Sequence, residues 1–136
     1  MLDDNYDSAI IVQKWLKDHN IPFTTEQAFE GLVGQSGAYL RFDIYLEQHR
    51  MCIEVDGQQH YRACKNTDMK TFLKKRNYDR RKEWYCYTHG LFLLRLVWDE
   101  LAYLDQILGF LLNWEAKLAQ RAEKQLNFIK KVLTNS

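Results

Sequence analysis

Between residues 40 and 56 the chain alternates apolar and polar side chains twice, with a four-residue break between the two runs. Leu40, Phe42, Ile44 and Leu46 share one parity against Arg41, Asp43 and Tyr45; Met51, Ile53 and Val55 then alternate with Cys52, Glu54 and Asp56. A period of two is the mark of a strand with one buried face. Joined through residues 47–50, the two strands read as a hairpin. Matching their apolar faces sets Leu46 against Met51, Ile44 against Ile53 and Phe42 against Val55. The same register sets Tyr45 opposite Cys52, Arg41 opposite Asp56, and Asp43 opposite Glu54.

Two carboxylates facing each other across a strand pair lie about 5 Å apart. At an effective dielectric near 20 their repulsion is roughly 3 kcal/mol. Either one of them holds a proton or a cation lies between them, and converging carboxylates form the oxygen ligand set that Mg²⁺ or Mn²⁺ prefers. A slip of one residue would put Asp43 and Glu54 on different faces, so the reading depends on the register.

The rest of the chain supplies elements around this hairpin. Ile11, Val12, Trp15 and Leu16 are spaced for a helix over 8–19, stopped by Asn20 and Pro22. The following TTEQAFEGLVGQSG has a turn signal in Gly34 and Gly37 but no periodicity that assigns it an element. Gly57 ends the second strand and brings His60 beyond its tip, four residues from Asp56, where an imidazole could act as general acid or base. Residues 67–89 read as a helix with a break near Asn77 and a stop at Gly90, with Asp79, Lys82, Glu83 and Cys86 on one face. LFLLRLVW is the kind of apolar run expected of a strand buried on both sides, paired parallel to 51–56 by a right-handed crossover. Its single polar residue, Arg95, needs a carboxylate or phosphate, as a core ion pair or as a site residue. Leu101, Leu104, Leu108, Leu111 and Leu118 begin a helical seam over 100–134 that would cover the sheet in part and could pair with a second copy.

At 136 residues with 46% hydrophobic content, one compact domain is expected, with its core at about 8–98 and a C-terminal helical region at about 100–134. The acidic start MLDDNYDS and the absence of a long apolar stretch predict no secretion signal and no membrane span, hence an intracellular, cytoplasmic protein of bacterial or phage type. Cys52, Cys64 and Cys86 lack CxxC spacing and read as ordinary thiols. Net charge is only +1, but residues 65–82 hold eight Lys or Arg against two Asp. A basic patch on an otherwise acidic chain suits a phosphate-contacting surface as well as a solvated helix face.

Taken together, EQAFEGL, RFDIYL, IEVDGQQH, YDRRK and GLFLLRL resemble the Vsr-like, or EDxHD, branch of the PD-(D/E)XK nuclease superfamily over roughly residues 26–96. The resemblance implies a restriction-endonuclease-like α/β core: a small mixed sheet, made of an antiparallel hairpin plus a parallel strand after a helical crossover, flanked by helices. It also implies hydrolysis of a phosphodiester bond assisted by Mg²⁺ or Mn²⁺, with Asp43 the principal metal ligand, Glu54 the second acidic ligand and the Val55 carbonyl a further one. Asp56 stands where the wider superfamily has lysine, and His60 would replace that lysine as acid or base. Asp79 would orient His60, Glu26 would complete the acidic constellation, and Gln59 and Lys82 would contact phosphate or water. Lys74, Lys75, Arg76 and Arg80 extend the nucleic-acid contact along the basic helix. The Cys and His pairs of a structural zinc site in mismatch-repair relatives are not apparent, so mismatch-specific nicking is not expected. The expected function is therefore a DNA endonuclease or nickase; the alternative is a nuclease-fold module that binds nucleic acid or a protein partner without cutting.

Overall fold

The computed structural model describes residues 4–57 and 68–135. Helix α1 (Asp4–Asp18) fully buries Val12 and Leu16. It stops where Asn20 takes a left-handed φ of 57° and the Ile21 N–H returns to the Leu16 carbonyl at 2.9 Å. Asparagine tolerates this conformation better than most residues, and Pro22 beyond it cannot extend the helix.

Strands β1 (Thr24–Val33), β2 (Tyr39–Leu46), β3 (Met51–Asp56) and β4 (Phe92–Val97) form a mixed sheet in that order. The first two pairings are antiparallel and β3–β4 is parallel. The hairpin has the expected register, with Leu46 against Met51, Tyr45 against Cys52 and Ile44 against Ile53. A 3-10 turn, Glu47–His49, and a left-handed Arg50 at φ 49° close it.

Strand β1 is the element that periodicity does not assign. Glu26 at φ 50° and Gly31 at φ 86° interrupt the extended backbone, and the register shifts between Ala28 and Val33, so side chains do not alternate along it.

Helix α2 (Met69–Thr88) connects β3 to β4. The Asp68 carboxylate caps its first turn by accepting from the Thr71 N–H at 2.8 Å. The break expected near Asn77 does not occur: the Asn77 Oδ1 accepts from the Arg81 Nε one turn on, at 2.8 Å, so the side chain braces the helix. Gly90, at φ 67°, ends the helix with the Leu91 N–H on the Cys86 carbonyl.

Arg50 fastens this helix end to the hairpin. Its Nη2 donates to the His89 carbonyl at 2.7 Å and its Nε to the Gly90 carbonyl at 3.3 Å. Its own carbonyl accepts from the Phe92 N–H, which starts the parallel pairing. Leu32, Phe42, Cys52 and Cys86 form a buried cluster, with Phe29, Tyr45 and Tyr85 packed on it. Phe42 thus packs with Cys52, although simple alternation groups it with Ile44 and Ile53.

The reading of β4 as a strand buried on both sides is corrected. It is an edge strand; Phe92 is 49% and Val97 36% exposed, and Leu96 alone within it is buried. An apolar run indicates a strand but does not say which neighbours cover it.

The chain divides into two compact units, Met1–Ala102 and Tyr103–Ser136. The second is built on the 31-residue helix α3 (Leu104–Thr134). No described helix is long and apolar enough to cross a membrane.

Because Arg50 satisfies two helix-end carbonyls, Arg50→Ala should lower stability by about 1–2 kcal/mol. Urea unfolding checks this, and an unchanged midpoint would show that the clamp contributes nothing.

Candidate active site

The hairpin ladder ends at Ile44–Ile53, and from there the sheet forks. β2 continues along β1 through Phe42–Gln27 and Arg41–Ala28. β3 continues along β4 through Glu54–Arg95, Val55–Leu96 and Asp56–Val97. Asp43 and Glu54 stand on the two sides of the opening. The pairing of Arg41 with Asp56 and of Phe42 with Val55, expected from an uninterrupted hairpin, is replaced by this divergence. Arg41 turns to β1, where its Nη1 donates to the Glu26 carbonyl at 3.0 Å.

Asp43 takes over the lost backbone bond: its Oδ2 accepts from the Val55 N–H at 2.8 Å. In extended backbone the N–H and C=O of one residue point to the same edge, so the Val55 carbonyl is also directed into the fork. Glu54 is only 7% exposed. Burial, then the Asp43 charge within hydrogen-bonding reach, pushes its carboxyl up to about 8, against the opposing effect of Lys82. Lys82, from α2, donates to the Glu54 Oε1 and also lies 5.4 Å from the Phe42 ring centroid. The cation that facing carboxylates require is thus present in the chain itself, although burial and the Asp43 charge still leave the Glu54 carboxyl a weaker acid than usual.

Asp56 lies one strand period beyond Glu54. Desolvation raises its carboxyl, opposed by the charges of Lys75 and Arg95. Lys75 is lowered by desolvation, with Asp56 and Asp79 acting the other way. Arg95 Nη2 lies 3.6 Å from Asp79 Oδ1, and its Nε lies 3.8 Å from Glu83 Oε1. Arg95 therefore has the carboxylate partners expected of an ion pair, at distances longer than hydrogen bonds. Cys52 and Cys86 hydrogen-bond one turn further down; this raises the Cys52 thiol and lowers that of Cys86.

The structure thus brings together Asp43, Glu54, Asp56, Asp79, Lys75 and Lys82. Glu26 falls opposite Asp43 between the pairs Thr25–Ile44 and Gln27–Phe42, but its side chain is exposed and its backbone is left-handed. Lys74, Arg76 and Arg80 are exposed on α2. His60 and Gln59 lie outside the described residues. Among the described residues, no three His, Cys, Asp or Glu side chains form a group that could hold a metal. The donor set that fits a hard cation is Asp43, Glu54 and the Val55 carbonyl, which is all oxygen.

Sequence reading missed the pairing of Glu54 with Lys82, yet a signal for it exists. Two residues of strand rise about 6.6 Å and four of helix about 6 Å. A helix returning antiparallel to β3 therefore matches Cys52 to Cys86, Glu54 to Lys82, and Asp56 to the turn bearing Asp79.

No protein-family model, curated protein or solved structure matches the chain.

The raised pKa of Glu54 makes a prediction in metal-free buffer. Between its ordinary value of 4.5 and about 8, folded Glu54 keeps a proton that the unfolded chain has released. Its contribution is complete below the lower value and is lost as pH rises through the higher one. Wild type should therefore lose stability from pH 5 to pH 8.5 relative to Glu54→Gln, as read by urea unfolding with chelator present. Parallel profiles would contradict the assignment.

Proposed function

We propose that this chain is a divalent-metal-dependent nuclease of the Vsr-like branch, with a restriction-endonuclease-like core, hydrolysing phosphodiester bonds in DNA. The observation that carries the reading is the fork in the sheet, where Asp43 and the buried Glu54 converge beside a helix rich in Lys and Arg.

Asp43, Glu54 and the Val55 carbonyl would hold Mg²⁺ or Mn²⁺. When bound, such an ion would lower the pKa of water and offset charge at the phosphate. Asp43 keeps the Val55 backbone in place through its N–H, so the same carboxylate sets the position of two ligands. Lys82 holds Glu54 in position and limits its repulsion from Asp43. Lys74, Arg76 and Arg80 lie on the exposed surface of α2, suited to backbone phosphates. By the resemblance, His60 would transfer the proton and Asp79 would orient it.

Plasmid nicking in Mg²⁺ and in Mn²⁺ tests the reading. Asp43→Asn and Glu54→Ala should abolish cleavage, and His60→Ala should reduce it by roughly 10²-fold or more. Wild-type activity retained in all three would refute it.

One observation favours the second reading, a module that binds without cutting: Lys82 donates to Glu54 and offsets its charge from within the chain. That reading requires DNA binding that weakens steeply with salt, and no cleavage in any divalent metal.

A further inference from the structure

A cavity of about 400 Å³ opens between the end of α2 and the start of β4, lined by Glu83, Cys86, Tyr87, Phe92 and Arg95 among others. It adjoins the fork, because Arg95 pairs in register with Glu54. Its volume is in the range of small-ligand sites.

Three features of its lining point to one kind of occupant. The first is aromatic: Tyr87 is 79% exposed although it sits on a helix of the core unit, and Phe92 faces the same opening. Trp84 is 67% exposed and lies 5.8 Å from the Tyr87 ring, so the rim carries a pair of flat apolar surfaces in water. The second is polar. Glu83 and Arg95, whose Oε1 and Nε lie 3.8 Å apart, line the cavity beside the rings. The third is charge, since the helix bearing Trp84 and Tyr87 also carries Lys74, Arg76 and Arg80 on its exposed surface.

Flat rings, a planar guanidinium with a carboxylate acceptor beside it, and a cationic approach are the combination that recognises a nucleobase. A paired base is stacked and has its hydrogen-bonding edge occupied, so only an unpaired one can enter. We propose that this cavity takes an unpaired nucleobase next to the bond to be cut, which makes gapped, branched or single-stranded DNA the preferred substrate. This rests on the nuclease reading for the identity of the polymer, but not on cleavage.

The test uses the full-length chain in Ca²⁺, which permits binding to be measured apart from cutting. The probes are a fully paired duplex and the same duplex with a short gap that carries 2-aminopurine as the unpaired base. The gapped probe should bind at least tenfold more tightly, with quenching of the 2-aminopurine fluorescence on stacking. Tyr87→Ala should abolish the quenching and the tenfold preference while leaving paired-duplex affinity within twofold, and Tyr87→Trp should retain both. Because Tyr87 is exposed, its loss should leave thermal unfolding unchanged.

Equal affinity for the two probes, or unaltered quenching in Tyr87→Ala, would overturn the proposal. Preference for the gapped probe without cleavage in Mg²⁺ or Mn²⁺ would support the cavity and overturn the nuclease reading alone.

Discussion

The fold places a carboxylate in an almost fully buried position next to a second carboxylate, and much of the structure around it serves to make that tolerable. Glu54 cannot be solvated, and Asp43 repels its charge. A buried ion is costly unless it is paired or protonated, and here both forms of relief are present in part. Lys82 supplies the pair, and a pKa raised to about 8 keeps the proton. Such incomplete compensation fits a site built for a cation that is stronger than an ammonium.

The position of Lys82 depends in turn on the crossover. Helix α2 must return antiparallel to β3 with its turns in step with the strand's side chains, and its two ends are fixed by different means. Asp68 caps the start, whereas Arg50 binds the carbonyls of His89 and Gly90 at the end. The hairpin that creates the facing carboxylates therefore also anchors the helix that partly neutralises them. The fork has a similar economy: one residue, Asp43, replaces a ladder bond and faces Glu54 across the opening.

How much of this was legible in the sequence follows from the range of the interactions. The hairpin and its register could be read because strand alternation is local and its four-residue connection is short. β1 could not, because Glu26 and Gly31 depart from extended geometry and erase the alternation. The exposure of β4 was misread because an apolar run reports burial without reporting which side is covered. Asn77 read as a break because Asn is a poor helix former, and no propensity argument anticipates its bond to Arg81. Register and resemblance together single out Asp43 and Glu54, and the structure keeps the Asp43 charge within reach of Glu54. Their cation was not legible, since Lys82 is separated from Glu54 by 28 positions and meets it only once the crossover is in place.

The central claim is that the fork binds a divalent cation through Asp43 and Glu54, and it can be tested without reference to any substrate. Titration of the chelator-stripped protein with Mn²⁺ at pH 8.5, followed by electron paramagnetic resonance of the free ion, reads binding directly. Wild type should take up Mn²⁺ stoichiometrically, and Asp43→Asn and Glu54→Gln should each lose that uptake while remaining folded. Uptake undiminished in both variants, or no uptake by wild type, would contradict the account.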